Sequence, residues 1–193
     1  MKSFKSLLLA GVAAVATMIF TGCGGASVAP EHSEAIASGK KMYTQTGMWY
    51  DTTKKNRVMG TNYAVGIYLP ANSEVTMTGT VRNGFVINHK GQSIEVYNVP
   101  KYTGLDINQF IDRTVSEKPA NLAKLTAAEK KAMKTGKIAK GMSKAAVVVL
   151  RGYPPAHVTP STDLDRWTYW RNRFAKMHVE FANGKVSNIL GQQ

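Results

Sequence analysis

The spacing of apolar and polar positions changes several times along the chain, and each change predicts an element. Residues Leu7 to Phe20 are apolar and rich in Ala and Leu behind the positive Lys2 and Lys5. That run is shorter than the roughly 20 residues a permanent spanning helix takes, so residues 1–22 read as an export signal. Residues 23–41 are largely small or polar and suit a flexible tether. Strand character then runs over residues 42–104. Val65, Ile67 and Leu69 alternate with Ala64, Gly66 and Tyr68, and a Pro70-Ala71-Asn72-Ser73 turn leads into Val75 and Met77, which predicts a hairpin. Further turns at Arg82-Asn83-Gly84 and His89-Lys90-Gly91 flank Phe85-Val86-Ile87 and precede Ile94 and Val96, which extends the prediction to a meander of about five strands.

The period changes again at Leu105. Ile107, Phe110, Ile111 and Val115 fit a connecting helix within residues 105–121, which Pro119 ends or interrupts. In residues 122–193, Thr126-Ala127-Ala128-Glu129 is a capping box, predicting a helix to about Thr135 with Gly136 as its stop. Ser143 caps a second, mostly apolar helix that Gly152 and Pro154-Pro155 end. Trp167 and Tyr169 alternate with Thr168 and Trp170 in a strand, and two more strands, Lys176 to Phe181 and Lys185 to Ile189, meet at Asn183-Gly184, a strong hairpin signal. The predicted class is α+β: an N-terminal small β-meander or SH3-like barrel, then two helices packed on a three-stranded antiparallel sheet. A β-block of about 60 residues is marginal alone, so it is expected to dock on the C-terminal part of the chain.

Charge narrows the partners. The chain carries 25 Lys and Arg against 12 Asp and Glu in 193 residues; without Lys2 and Lys5 the balance is 23 against 12. Between Lys124 and Arg151 stand eight basic residues and one acid, Glu129. Something anionic is the expected neighbour: lipid, a cell-wall polymer or an acidic protein face. The single cysteine excludes an internal disulfide and a Cys-pair zinc site.

That cysteine closes Phe20-Thr21-Gly22-Cys23, which resembles the lipobox of bacterial lipoproteins. The resemblance implies cleavage before Cys23 and a covalent N-acyl and S-diacylglycerol lipid on it, palmitate being a typical acyl chain. It also implies an outer-membrane, periplasm-facing lipoprotein, because Gly24 is not the Asp that retains such proteins at the inner membrane. A second resemblance covers about Leu122 to Leu190. Gly141-Met142-Ser143-Lys144, a helix carrying Val147 and Leu150, Gly152-Tyr153-Pro154, Trp167-Thr168-Tyr169-Trp170 and Val179-Glu180-Phe181-Ala182-Asn183-Gly184-Lys185-Val186 resemble the SmpA/OmlA family, the BamE-like lipoprotein domain. The family implies an envelope lipoprotein without catalysis, whose best-known member is an accessory subunit of the machine that inserts outer-membrane β-barrels. The stretch Pro154 to Pro160 and everything before Leu105 depart from the minimal family domain.

The residues point to no catalytic or metal chemistry. His32, His89, His157 and His178 lack partners at ligand spacing, and no nucleophile elbow, His-Glu-x-x-His or phosphate-cradling glycine loop is present. Asp163 and Asp165 suit a turn. Tyr153, Trp167, Tyr169, Trp170 and Phe174, interleaved with Arg166, Arg171 and Arg173, would suit single-stranded nucleic acid in the cytoplasm, a partner that export disfavours. Alternate aromatics of that strand are expected to pack inward, leaving Trp170, with Arg171 and Arg173, as candidate partner or headgroup contacts. Lys130, Lys134 and Lys137 form either a solvated helix face or a headgroup contact. The expected function is that of a non-catalytic lipid-anchored protein acting through protein and membrane-surface contacts in envelope assembly or maintenance, without cofactor, metal or nucleic acid. The alternative is a module that binds peptidoglycan or another envelope polymer.

Overall fold

A computed structural model describes residues 25–191; the segment read as an export signal and Cys23 lie outside the described residues. The first sheet grows from the alternating segments. β1 covers Lys41–Thr44, β2 Met48–Tyr50, β3 Arg57–Met59, β4 Ile67–Leu69, β5 Glu74–Val81, β6 Gly84–His89 and β7 Gln92–Tyr97. Strands β5, β6 and β7 form an antiparallel meander that turns Val75, Met77, Phe85, Ile87, Ile94 and Val96 to one buried face. Lys90 and Gly91, both at positive φ, make the two-residue turn between β6 and β7 whose twist matches the strands it joins.

Several expectations need correction. The first is the flexible tether over residues 23–41: Ala26 N donates to Val81 O, Ala29 N donates to Asn108 Oδ1, and Pro30–Ser38 form a helix that buries His32 and Ala35, so this segment packs on the first core. The hairpin predicted between the segments around Ile67 and Val75 does not form: β4 pairs with β2, and β5 pairs with β1 and β6. Thr44 decides this. Its hydroxyl donates to Pro70 O at 2.7 Å, its amide donates to Ser73 O and its carbonyl accepts from Asn72 N, so the turn at residues 70–73 carries the chain from one sheet to another. The meander is also three strands rather than about five. β3 lies parallel to β7, and β1 lies between β5 and a two-residue strand, β8 (Val115–Ser116), giving the order β3-β7-β6-β5-β1-β8.

The connecting helix is the shorter segment Ile107–Thr114, which comes after α1 (Pro30–Ser38) and a single turn, α2 (Pro100–Thr103), and is therefore α3. Asp106 and Gln109 cap it reciprocally, and β-branched Val115 leaves the helical conformation to join β1. Ala35, Phe110 and Ile111 close the core over the sheet.

A second core begins at Leu125. α4 covers Ala127–Ala132 and α5 Lys144–Arg151; the strands are β9 (Arg166–Trp170), β10 (Lys176–Ala182) and β11 (Lys185–Leu190), in the antiparallel order β11-β10-β9. α4 is about three residues shorter than predicted, because turns carry the chain from Met133 to Gly136, whose φ is +69°. Asn183 and Gly184, both at positive φ, form the β10–β11 turn. Trp167, Tyr169, Met177, Val179 and Phe181 alternate inward against Ala146, Val147 and Leu150 of α5. Among the described residues no helix is long and apolar enough to cross a membrane.

Candidate functional site

The basic segment forms its face because its one acid is spent inside. Thr126 and Glu129 cap α4 reciprocally: Thr126 N donates to Glu129 Oε2 at 2.8 Å, and Glu129 N to Thr126 Oγ1 at 3.2 Å. The other oxygen, Glu129 Oε1, accepts from Ser143 N at 2.7 Å and from the Ser143 hydroxyl at 2.8 Å, joining α4 to the start of α5. Glu129 is only 6 % exposed. Burial alone would push its carboxyl up, but these donors outweigh burial and bring it down to about 2. Lys124, Lys130, Lys131, Lys134, Lys137 and Lys140 are all exposed. Among the described residues, no carboxylate forms an ion pair with any of them.

Trp170, Arg171 and Arg173 lie together at the β9–β10 connection. Trp170 is half-buried: Lys176 Nζ lies 4.8 Å from its ring centroid, and the His157 ring stacks beside it at 6.5 Å. At this connection the exposed aromatic is Phe174, at 79 %. Asn172 Oδ1 accepts from Phe174 N and Ala175 N at 2.8 and 3.0 Å and so shapes the turn, while the Arg173 guanidinium covers one side of the Phe174 ring at 4.5 Å. Thus the fold gathers Trp170, Arg171 and Arg173 on one turn, and Lys130, Lys134 and Lys137 on α4 and the segment after it.

Residue spacing did not reveal the seam between the two cores. An α-helix leaves its last carbonyls without intrahelical donors, and most of the donors to the end of α5 come from the first half of the chain. Gly47 N donates to Val149 O at 2.8 Å, Tyr68 Oη to Leu150 O at 3.0 Å and Asn62 Nδ2 to Arg151 O; Tyr169 Oη, from β9, donates to Gly152 O at 2.8 Å. A Cβ at Gly47 would collide with Leu150 O and the Tyr68 ring, so glycine is required by the close approach itself.

Arg151 locks the same seam. It is 3 % exposed, and its guanidinium donates to Asn62 O at 2.8 Å and Trp170 O at 3.0 Å while lying 4.4 Å from the Trp49 ring and 5.3 Å from Tyr169. Burial pulls it down to about 10, partly offset by the two tyrosines, so it stays charged at neutral pH. A signal was available in the sequence: an arginine ending an otherwise apolar helix, immediately before Gly152, is a charge placed where burial is expected.

Beside the seam opens a cleft of about 60 Å³, walled by Met48, Val58, Met59, Phe110, Tyr153 and Pro154. Arg113 of α3 reaches its mouth, with the guanidinium 4.4 Å from the Tyr153 ring centroid. The lining includes no acidic residue. Close by, Thr61 Oγ1 and Asn62 Oδ1 are buried without a hydrogen-bond partner among the described residues.

The histidines are dispersed. His32 is buried with Nε2 3.4 Å from Asp112, His89 contacts Glu74 O, His157 stacks on Tyr102 at 4.4 Å, and His178 contacts the Thr168 hydroxyl. Among the described residues no group of three His, Cys, Asp or Glu side chains is placed to hold a metal ion. Asp165 pairs with Lys144 at 3.0 Å, and Asp163 accepts from the Ser161 hydroxyl. Compared with protein-family models, curated proteins and solved structures, the chain matches none of them.

Proposed function

We propose that this chain is a non-catalytic lipoprotein, anchored through lipid on Cys23 at the periplasmic face of the outer membrane, that serves envelope assembly or maintenance through protein and membrane-surface contacts. The lipobox-like Phe20-Thr21-Gly22-Cys23 supports the anchor. The order α4, α5 and three antiparallel strands supports the resemblance to the SmpA/OmlA family. The observation that carries the surface contact is the lysine face from Lys124 to Lys140, whose sole neighbouring acid in the sequence, Glu129, is turned inward. A domain held at the surface by a lipid needs only weak further attraction, and each lysine near an anionic bilayer contributes about 1 kcal/mol.

The test is vesicle binding by the unlipidated chain beginning at Gly24, which contains both cores. Binding to phosphatidylglycerol vesicles, absent with phosphatidylcholine and lost with added salt, is the expected result. Replacing Lys130, Lys134 and Lys137 by Ala together should lower partitioning by roughly a hundredfold, as three such contributions imply. Binding indifferent to lipid charge would overturn the surface contact, and co-sedimentation with isolated peptidoglycan in its place would favour the polymer-binding alternative.

A further inference from the structure

We infer that the cleft between the two cores is a binding site for the carboxy-terminal residue of a partner polypeptide, with the terminal carboxylate on Arg113 and a small aliphatic side chain between Met48, Met59 and Phe110. This goes beyond the membrane-surface reading and does not use the lysine face.

Three features of the seam carry the inference. The first is an unspent cation. Arg113 is half-buried, carries its guanidinium carbon 4.4 Å from the Tyr153 ring centroid, and its side chain makes no hydrogen bond or ion pair with any described residue. A guanidinium held on an aromatic face keeps its in-plane donors free, and a carboxylate is the group whose two oxygens match that fork. Asp112, its neighbour in sequence, serves His32 instead.

The second feature is the charge of the whole seam. Arg151 is buried just behind the Asn62 wall and is bound only to carbonyls and ring faces. Arg151 itself does not line the cleft; Arg113 is the one cation among the described lining residues, none of which is a carboxylate, and charge complementarity selects an anion.

The third is shape. A cleft of about 60 Å³ holds about four to six waters at about 10–15 Å³ each, which suits one aliphatic side chain. Its apolar walls favour such a side chain over a bare inorganic anion. An acidic side chain within a peptide would bring the carboxylate without a separate aliphatic side chain on the adjoining carbon.

The experiment titrates the chain beginning at Gly24 with an acetylated tripeptide ending in valine, as the free acid and as the carboxamide, and with a carboxamide tripeptide carrying an internal glutamate. Backbone amide NMR shifts of Gly60, Arg113 and Gly152 and the Arg113 Nε signal are followed. The expected result is saturable shifts confined to the cleft for the free acid, and at least tenfold weaker binding for both carboxamides, as loss of a charge-assisted contact implies. Arg113→Gln should weaken the free acid by a similar factor with the fold intact. Tyr153→Ala, at an exposed position, should reduce the preference for acid over amide. Equal binding of acid and amide, equal binding by Arg113→Gln, or shifts lying elsewhere on the protein would overturn the inference. Tight binding of the glutamate peptide in place of the free acid would overturn the assignment to a chain terminus.

Discussion

Arg151 keeps its charge in the interior with two backbone carbonyls and two aromatic faces around it, and no carboxylate. Arginine suits this position because its fork reaches Asn62 O and Trp170 O at once while its plane stacks on Trp49. Arg151→Ala would orphan both carbonyls and open a cavity between the cores, so a loss of about 3–4 kcal/mol is expected in urea unfolding. Arg151→Lys, which cannot hold both carbonyls in one plane, should lose about 2 kcal/mol. Glu129 adds a pH dependence. Its folded carboxyl is held at about 2 against 4.5 when unperturbed, so it favours the folded state above pH 4.5. That contribution is lost as pH falls from 4.5 through 2, because the unfolded chain then binds the proton more readily. Glu129→Gln should therefore be less stable than the parent at pH 7, and the gap in urea midpoint should shrink steadily between pH 4.5 and 2. A gap independent of pH would show that the capping geometry matters and the charge does not.

At the scale of elements, the C-terminal end of α5 and the β10–β11 turn make a useful contrast. The turn was readable locally, since Asn183-Gly184 supplies both positive φ values from two adjacent residues. The caps of α4 and α5 were equally local: Thr126 and Glu129, and then Ser143, sit within three residues of the amides they serve. The pairing of β4 was not readable in the same way. Ile67 and Leu69 alternate as a strand should, but alternation says nothing about which strand accepts them, and Thr44, some 25 residues earlier, decided the outcome. The glycines show the same division. Gly184→Ala meets empty space and costs only its left-handed backbone, about 1–2 kcal/mol. Gly47→Ala meets Leu150 O and Tyr68, so it must push the cores apart or break the Gly47 N to Val149 O bond. Gly47→Ala should therefore lower the thermal midpoint more than Gly184→Ala, although Gly47 is not at positive φ.

For the whole molecule, the seam makes two cores one cooperative unit. Tyr68, Asn62 and Gly47 from the first half of the chain satisfy α5 of the second core, and Ala156 N donates to Tyr102 O across the same boundary. Unfolding followed by near-ultraviolet circular dichroism and by hydrogen exchange of Val86 and Val179 should give one coincident transition in the parent. Arg151→Ala should separate the two, with β10 exchanging before β6. The charge is distributed unevenly over this unit. After residue 121 the sequence has thirteen Lys and Arg against four acids, and from residue 25 to residue 121 it has ten against eight. The second core therefore presents the basic surface, and the first contributes Arg113 to the cleft.

The amino-acid sequence by itself determined what depends on near neighbours: the period of each strand and helix, the caps, the tight turns, the total charge, and the apolar run ahead of a lone cysteine. Those properties act over a few residues, so adjacent side chains are enough to specify them. Only the tertiary structure decided which strands pair, that Glu129 faces inward and leaves the lysines unopposed, and that Trp170 is half-buried while Phe174 is exposed. It also decided that Arg113 lines a cleft without carboxylates while Arg151, 38 positions later, is buried between Asn62 and Trp170. These outcomes depend on burial and on donors brought from distant parts of the chain, and no local pattern encodes which distant group will supply the missing partner.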